Sequence, residues 1–422
     1  MTFGEKITLA FKDRTLRKRI LFVVFAIFIF RLLAAIPIPG VDTARLASFL
    51  AGNQFFGVLN IFSGGGLSNL SIIMLGVGPY ITGSIIMQVL TILSPKLKAL
   101  QSEEGDYGRK KFAQYSRVLT IPLAALQGYT LLTLLGRQGI LGVLSPMQIA
   151  TNVIILTAGA MLLMWIGELI SEYGIGNGVS ILIFAGIVSA LPSEVAQVLY
   201  AYDAGQIPTY LLFAAVGLLV IAGVVLVTEA ERPIPVTYAR QVRGLSTGGS
   251  TPTYLPLRLN QAGVIPIIFA LSILLFPQII SNLFATSPHA WLVSVANAMS
   301  WFINNQLVYG IVYFVLVFLF TYFYTAVTFD PNTVATNLQK NGAFVPGIRP
   351  GEPTASYLSS VSGRITVFGG LFLGVIAILP LIMKEVTGIT SLALGGTALL
   401  IVVSVVMDLI KKLDAQVSLR EY

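Results

Sequence analysis

The chain has no Cys and a single His among its 422 residues, and only 10% of it is charged. Without Cys there are no disulfides and no thiolate chemistry. With His289 alone, a His-based catalytic triad or a multi-His metal site is excluded. No Gly is followed by Lys, so there is no Walker A phosphate loop. The apolar stretches are also nearly empty of the acidic and His residues that ion-coupled transporters place at mid-membrane. These absences argue against an enzyme, a cofactor or a bound metal. Any directional work must then draw its energy from a partner or an ion gradient.

What the chain has instead is apolar length. It is 55% hydrophobic, with mean hydropathy +0.85. Ten stretches are long enough to span a bilayer by the rule of about 20 apolar residues per span. They lie at about 20–36, 70–93, 116–135, 151–170, 177–192, 209–228, 262–283, 307–328, 365–383 and 392–409. The runs are continuous, without the period-2 alternation of a membrane barrel, so helices are expected. The first follows a basic tail and could pass for a signal peptide, but the nine after it argue for a retained anchor.

The net charge of +8 invites a nucleic-acid reading, but its placement fits topology better. All of the 26 Lys and Arg except Arg31, Arg45, Arg137 and Lys384 fall in the two tails and alternate loops. The positive-inside rule therefore puts both termini in the cytoplasm. Glu168, at the cytoplasmic end of its span, reads as a structural charge. So does Arg31, near the outer end of the first span, where it can snorkel or pair with another helix.

Ten spans divide into five plus five. An odd number per half makes the second half enter the membrane from the opposite side, as an inverted repeat requires. Gly76-Val77-Gly78-Pro79-Tyr80-Ile81 in the second span and Gly263-Val264-Ile265-Pro266-Ile267-Ile268 in the seventh share Gly-Val-x-Pro-x-Ile. In the fifth and tenth spans, Gly178 and Gly396 each precede an Ile by five residues. Symmetry would bring these four spans to the axis between the halves, with Ile81, Ile183, Ile268 and Ile401 facing one another. Such a collar has no coordinating oxygen. It suits a constriction that blocks ions by dewetting, not a filter that selects one.

Before the second span, residues 56–66 are too short to cross and end in Gly64-Gly65-Gly66. This segment either re-enters from outside against the constriction or forms a surface loop. Two long loops are expected in the cytoplasm. Residues 229–261 read as a projecting hairpin. Residues 329–364 are stiffened by Pro346, Gly347, Pro350 and Gly351 and present Arg349. Arg on such loops can serve topology alone or form a docking surface for an acidic partner.

In these motifs the chain resembles the SecY family, whose members form the channel of the bacterial protein translocase. The resemblance rests on Ile36-Pro37-Ile38-Pro39-Gly40, Phe62-Ser63-Gly64-Gly65-Gly66-Leu67-Ser68 and Gly174-Ile175-Gly176-Asn177-Gly178. Asn260-Gln261-Ala262-Gly263-Val264-Ile265-Pro266 and Pro346-Gly347-Ile348-Arg349-Pro350-Gly351 complete it, in order along the whole chain.

The resemblance implies an all-α polytopic membrane protein. Ten transmembrane helices form two pseudo-symmetric inverted five-helix halves, residues 20–200 and 201–410, around a central pore. The cytoplasmic tails are 1–19 and 411–422. The implied pore ring is Val77, Ile81, Val179, Ile183, Ile268 and Ile401. The implied plug, about 57–69, contains Gly57, Asn60, Phe62, Ser63, Gly64, Gly65 and Gly66. A lateral gate between spans two and three and spans seven and eight would be lined by Thr82, Gln127 and Phe276. Arg240, Arg243 and Arg349 would dock a motor ATPase of the SecA type or a ribosome. SecE-type and SecG-type membrane subunits are the implied partners, with the signal peptide, the translocating polypeptide and the lipid bilayer.

The expected activity is passage of unfolded secretory polypeptides across the plasma membrane, with lateral release of hydrophobic segments into lipid. The rivals are an ion-coupled small-solute transporter built on inverted repeats and an insertase-type scaffold without a continuous pore.

Overall fold

The computed structural model describes residues 12–39, 60, 63–67, 69–102, 105–137, 141, 145–200, 207–238, 253–284, 289–387 and 390–418. The chain is predominantly helical. The first half comprises α1 (Arg14–Ala34), α2 (Gly78–Leu93), the short α3 (Pro95–Ser102), α4 (Gly105–Arg137), α5 (Pro146–Tyr173) and α6 (Gly178–Tyr200). The second comprises α7 (Ile207–Glu229), strands β1 (Glu231–Tyr238) and β2 (Thr253–Arg258), α8 (Ile265–Phe284), α9 (Ala290–Asn304) and α10 (Gln306–Thr328). It ends with α11 (Pro331–Lys340), β3 (Ala343–Phe344), α12 (Glu352–Thr387) and α13 (Thr390–Ser418).

The ten apolar stretches fall on α1, α2, α4, α5, α6, α7, α8, α10, α12 and α13. Among the described residues, four helical runs are long and apolar enough to cross a membrane: Lys110–Gly136, Pro146–Tyr173, Gln306–Lys340 and Glu352–Met383. Several helix starts carry explicit caps. Asp13 accepts from the Thr15 and Leu16 amides ahead of α1. Ser145 and Gln148 form a reciprocal capping box at α5.

The expected span 70–93 is helical only from Gly78. At 16 residues, α2 covers about 24 Å, short of a bilayer core. The chain before it runs through turns, with Gly76 at φ 59°. Ile73 and Met74 are nevertheless fully buried. A Cβ on Gly159 of α5 would strike the Ile72 carbonyl, so the missing side chain lets this non-helical strand lie against α5. Irregular backbone is tolerated there because protein covers it.

The halves repeat one packing plan. In the first, α2 packs on α4, α4 on α5 and α5 on α6; α1 touches α5 and α6, and α2 touches α5. In the second, α8 packs on α10, α10 on α12 and α12 on α13; α7 touches α12 and α13, and α8 touches α12. Each contact has its counterpart five spans on. The matched motifs also share a backbone. Gly76 and Gly263 take φ 59° and 62°, each helix begins two residues later, and a Pro follows at once. The second pair of motifs diverges: Gly178 opens α6, whereas Gly396 lies inside α13.

Two features were not expected from the sequence. The loop between α8 and α10 contains α9, a 15-residue amphipathic helix with Trp291 and Trp301 exposed. The two long loops form one unit, a sheet of order β2-β1-β3. Ile234 pairs with Leu255, and Thr237 pairs with Phe344 more than a hundred residues away. Ile234, Leu257, Val345, Leu358, Val361 and Ile365 close a small core beneath it.

Candidate functional site

The halves meet where α2 and α4 contact α8 and where α6 contacts α13. The largest apolar cluster lies across these seams. It includes Val77, Ile81, Ile183, Ile268 and Ile401, with the partly buried Val179 packed against it. The six residues expected to form the ring, five on four helices and Val77 capping the start of α2, are thus brought into one cluster. Ile183 and Ile401 are 1% and 2% exposed. An ion at this level would give up its hydration with nothing in exchange.

The expected plug is only partly described; Gly57 and Phe62 lie outside the described residues. Residues 63–67 form a tight knot of turns. The Ser63 hydroxyl donates to the Asn60 carbonyl at 3.0 Å and accepts from the Leu67 amide at 3.0 Å. The Gly65 amide donates to Asn60 O, and Ser71 N–H donates to Gly66 O. Gly64 and Gly65 take φ 65° and 81°, the left-handed region open to glycine. A Cβ on Gly64 would penetrate the Phe30 ring, so the knot sits directly on α1. The extended stretch 36–38 pairs with 70–72 on the next stretch of the knot, through Ile38 N to Leu70 O and Ile72 N to Ile36 O.

Arg31, which the sequence left among the structural charges, takes part here. Its Nη1 donates to the Gly64 carbonyl at 2.7 Å and to the Ser189 hydroxyl of α6 at 2.8 Å. The other doubtful charge, Glu168, accepts from Arg117 Nε at 2.7 Å and ties α5 to α4.

Thr82, Gln127 and Phe276 stand on α2, α4 and α8, the three helices of the first of these seams. The Thr82 hydroxyl donates to Gly78 O of its own helix at 3.0 Å, so its proton is spent locally. Gln127 and Phe276 are half-buried. Arg349 is exposed on a loop whose Gly347 and Gly351 turn through φ 83° and 96°, and its carbonyl accepts from Thr354 Oγ1. Arg240 and Arg243 lie outside the described residues.

The sequence reading missed a polar vestibule. A cavity of about 270 Å³ opens between the starts of α6 and α8 and the end of α13, lined in part by Asn177, Asn260, Gln261, Asp408 and Lys411. Buried Oδ1 of Asn260 and Oε1 of Gln261 have no protein partner. Their place in the motif Asn260-Gln261-Ala262-Gly263 was visible, but nothing in the motif says that it faces a cavity. Among the described residues no cluster of His, Asp or Glu could hold a metal.

The SecY family model matches residues 71–410. The protein translocase subunit SecY of Thermus thermophilus is 44% identical over 418 residues, covering 96% of this chain and 94% of that protein. The SecY subunit of Corynebacterium glutamicum is 41% identical, covering 98% of each chain. Among solved structures, a protein-conducting channel superposes with TM-score 0.67 at 17% identity, covering 97% of this chain and 94% of that one. The Sec61 channel of the canine ribosome–channel complex superposes with TM-score 0.63 at 17% identity, over the same shares. At such identities these two likenesses speak for the fold alone.

Proposed function

Because the chain belongs to the SecY family, it forms the protein-conducting channel of a translocase, and we propose how its parts divide that work. Val77, Ile81, Val179, Ile183, Ile268 and Ile401 form the constriction. The observation that carries this reading is their convergence, from four helices of both halves and the cap of one of them, into one apolar cluster. Apolar walls make few specific bonds with varied side chains, so an extended polypeptide can slide through while ions are refused.

The plug, about residues 57–69 and including the knot at 63–67, rests against this constriction from outside. The seam where α2 and α4 meet α8 is the lateral gate. A hydrophobic signal sequence opens it because apolar side chains gain by leaving water for lipid. The vestibule lined by Asn260 and Gln261 receives the chain on the cytoplasmic side. Its polar lining, which includes Asn177, Asp408 and Lys411, keeps the space hospitable to water around an entering chain.

The sheet β2-β1-β3 and the Arg349 loop dock the driving partner, a SecA-type motor ATPase or a translating ribosome. SecE-type and SecG-type subunits complete the assembly in the plasma membrane, with both termini cytoplasmic. The chain itself is a passive conduit and performs no catalysis.

The absence of Cys makes the test direct. A single Cys replaces Ile401, the channel is reconstituted with its motor, and a secretory precursor carrying one Cys is stalled partway across. A disulfide adduct that forms only with the stalled precursor is expected. With stalling verified by protease protection, no adduct at Ile401 or at Ile81 would move the pathway elsewhere and revive the transporter and scaffold readings.

A further inference from the structure

We infer that Arg31 is a clasp that sets how readily the plug leaves the channel. The inference rests on the plug assignment above and goes beyond it, to the residue that holds the plug in place.

The seat of the knot is made by two consecutive residues of α1. Phe30, 1% exposed, supplies an apolar floor directly beneath Gly64. Arg31 supplies a polar hook, with one guanidinium nitrogen shared between Gly64 O at 2.7 Å and Ser189 Oγ at 2.8 Å. The Ser189 hydroxyl donates its own proton to Gly186 O at 2.7 Å, so a lone pair is left to face the guanidinium. Arg31 therefore joins three parts at one point: α1, the knot and α6. Its place in the last turn of α1 also sets its charge against the negative end of that helix.

A hook of this kind must also let go. A buried charge stripped of its partner would be costly, and the plug would be locked. Arg31 is exposed in the last turn of α1, near the outer end of the first span, where its guanidinium can snorkel to the interface and water can replace the Gly64 carbonyl when the knot departs. A charged donor to a carbonyl is stronger than a neutral one, yet the exchange with water keeps the net gain small. The hook is thus strong enough to bias the closed state and weak enough to be overcome by a signal sequence.

The test is the ion leak of the reconstituted channel in planar bilayers, for four forms: the natural chain, Arg31→Ala, deletion of residues 57–67, and both changes together. Arg31→Ala is expected to raise the open fraction roughly tenfold, the size of one charged hydrogen bond. The combined form is expected to leak no more than the deletion alone, because the clasp acts only through the knot. Ser189→Ala, which removes one of the two acceptors and keeps Gly64 O, is expected to leak at an intermediate level. It gives the readout should Arg31→Ala fail to assemble.

An Arg31→Ala channel as tight as the natural one overturns the clasp while leaving the plug assignment standing. An equal increase on the deletion background also overturns it, since Arg31 would then act elsewhere. A deletion that does not leak overturns the plug assignment itself, and the clasp falls with it.

Discussion

Gly178, the first residue of α6, lies so close to Gly167 of α5 that a Cβ on Gly178 would overlap the Gly167 carbonyl. The Gly178 amide also ties α6 back to α5, donating to Ser171 Oγ at 2.8 Å. The turn between the fourth and fifth spans is therefore closed backbone to backbone. Gly178→Ala should cost about 1–3 kcal/mol through overpacking. Thermal unfolding of the purified channel should show a lower midpoint; an unchanged midpoint would mean that the turn relaxes freely.

The apolar cluster makes a second prediction. Replacing Ile81 and Ile268 together with Gly opens the seam between α2 and α8 and removes two of the apolar walls. Ion conductance through resting channels should rise, while precursors still cross. Conductance equal to that of the natural chain would argue that the seal lies at another level.

The Arg117–Glu168 pair should matter little to stability. Arg117 is 46% exposed, so water screens the attraction, and exposed pairs contribute about 0.2–1 kcal/mol. A double-mutant cycle of Arg117→Ala and Glu168→Ala should give a coupling in that range, smaller at high salt. A coupling above it would mark the pair as desolvated in the bilayer interface.

Leu358 is fully buried beneath the three-stranded sheet. Leu358→Ala should destabilise that small core by about 2–5 kcal/mol. Residues 229–261 and 329–364 should become sensitive to limited proteolysis, while the helices stay resistant. Motor-driven transport should fall without a rise in resting leak. Equal protease sensitivity before and after the change would show that the sheet does not depend on this core.

The readable parts of the fold were those set by local composition. Apolar runs located ten helices because each must bury its own backbone in lipid, whatever its neighbours do. Gly-Val-x-Pro-x-Ile was readable because Gly76 and Gly263 need the same left-handed backbone before a helix start. The non-helical chain at 71–77 was not, since Ile72, Ile73 and Met74 are as apolar in turns as in a helix. Its cause sits far away, in the gap left by Gly159 on α5. The pairing of Thr237 with Phe344, and the reach of Arg31 to Gly64 and Ser189, are equally distant in sequence. Helix α9 escaped because its 15 residues are too few to span and polar residues interrupt it at every third or fourth position.

The sheet formed by the two long loops has a mechanical meaning. Its strands and the core under them come entirely from residues 231–365, and that core is continuous with the head of α12, a helix of 36 residues. A load applied at those loops therefore enters one half of the molecule as a torque on a long lever. Among the described residues, the other half receives it mainly across the seams of α2 and α4 with α8 and of α6 with α13. Work done by a motor outside the membrane would in this way reach the bilayer as a turning of one half against the other.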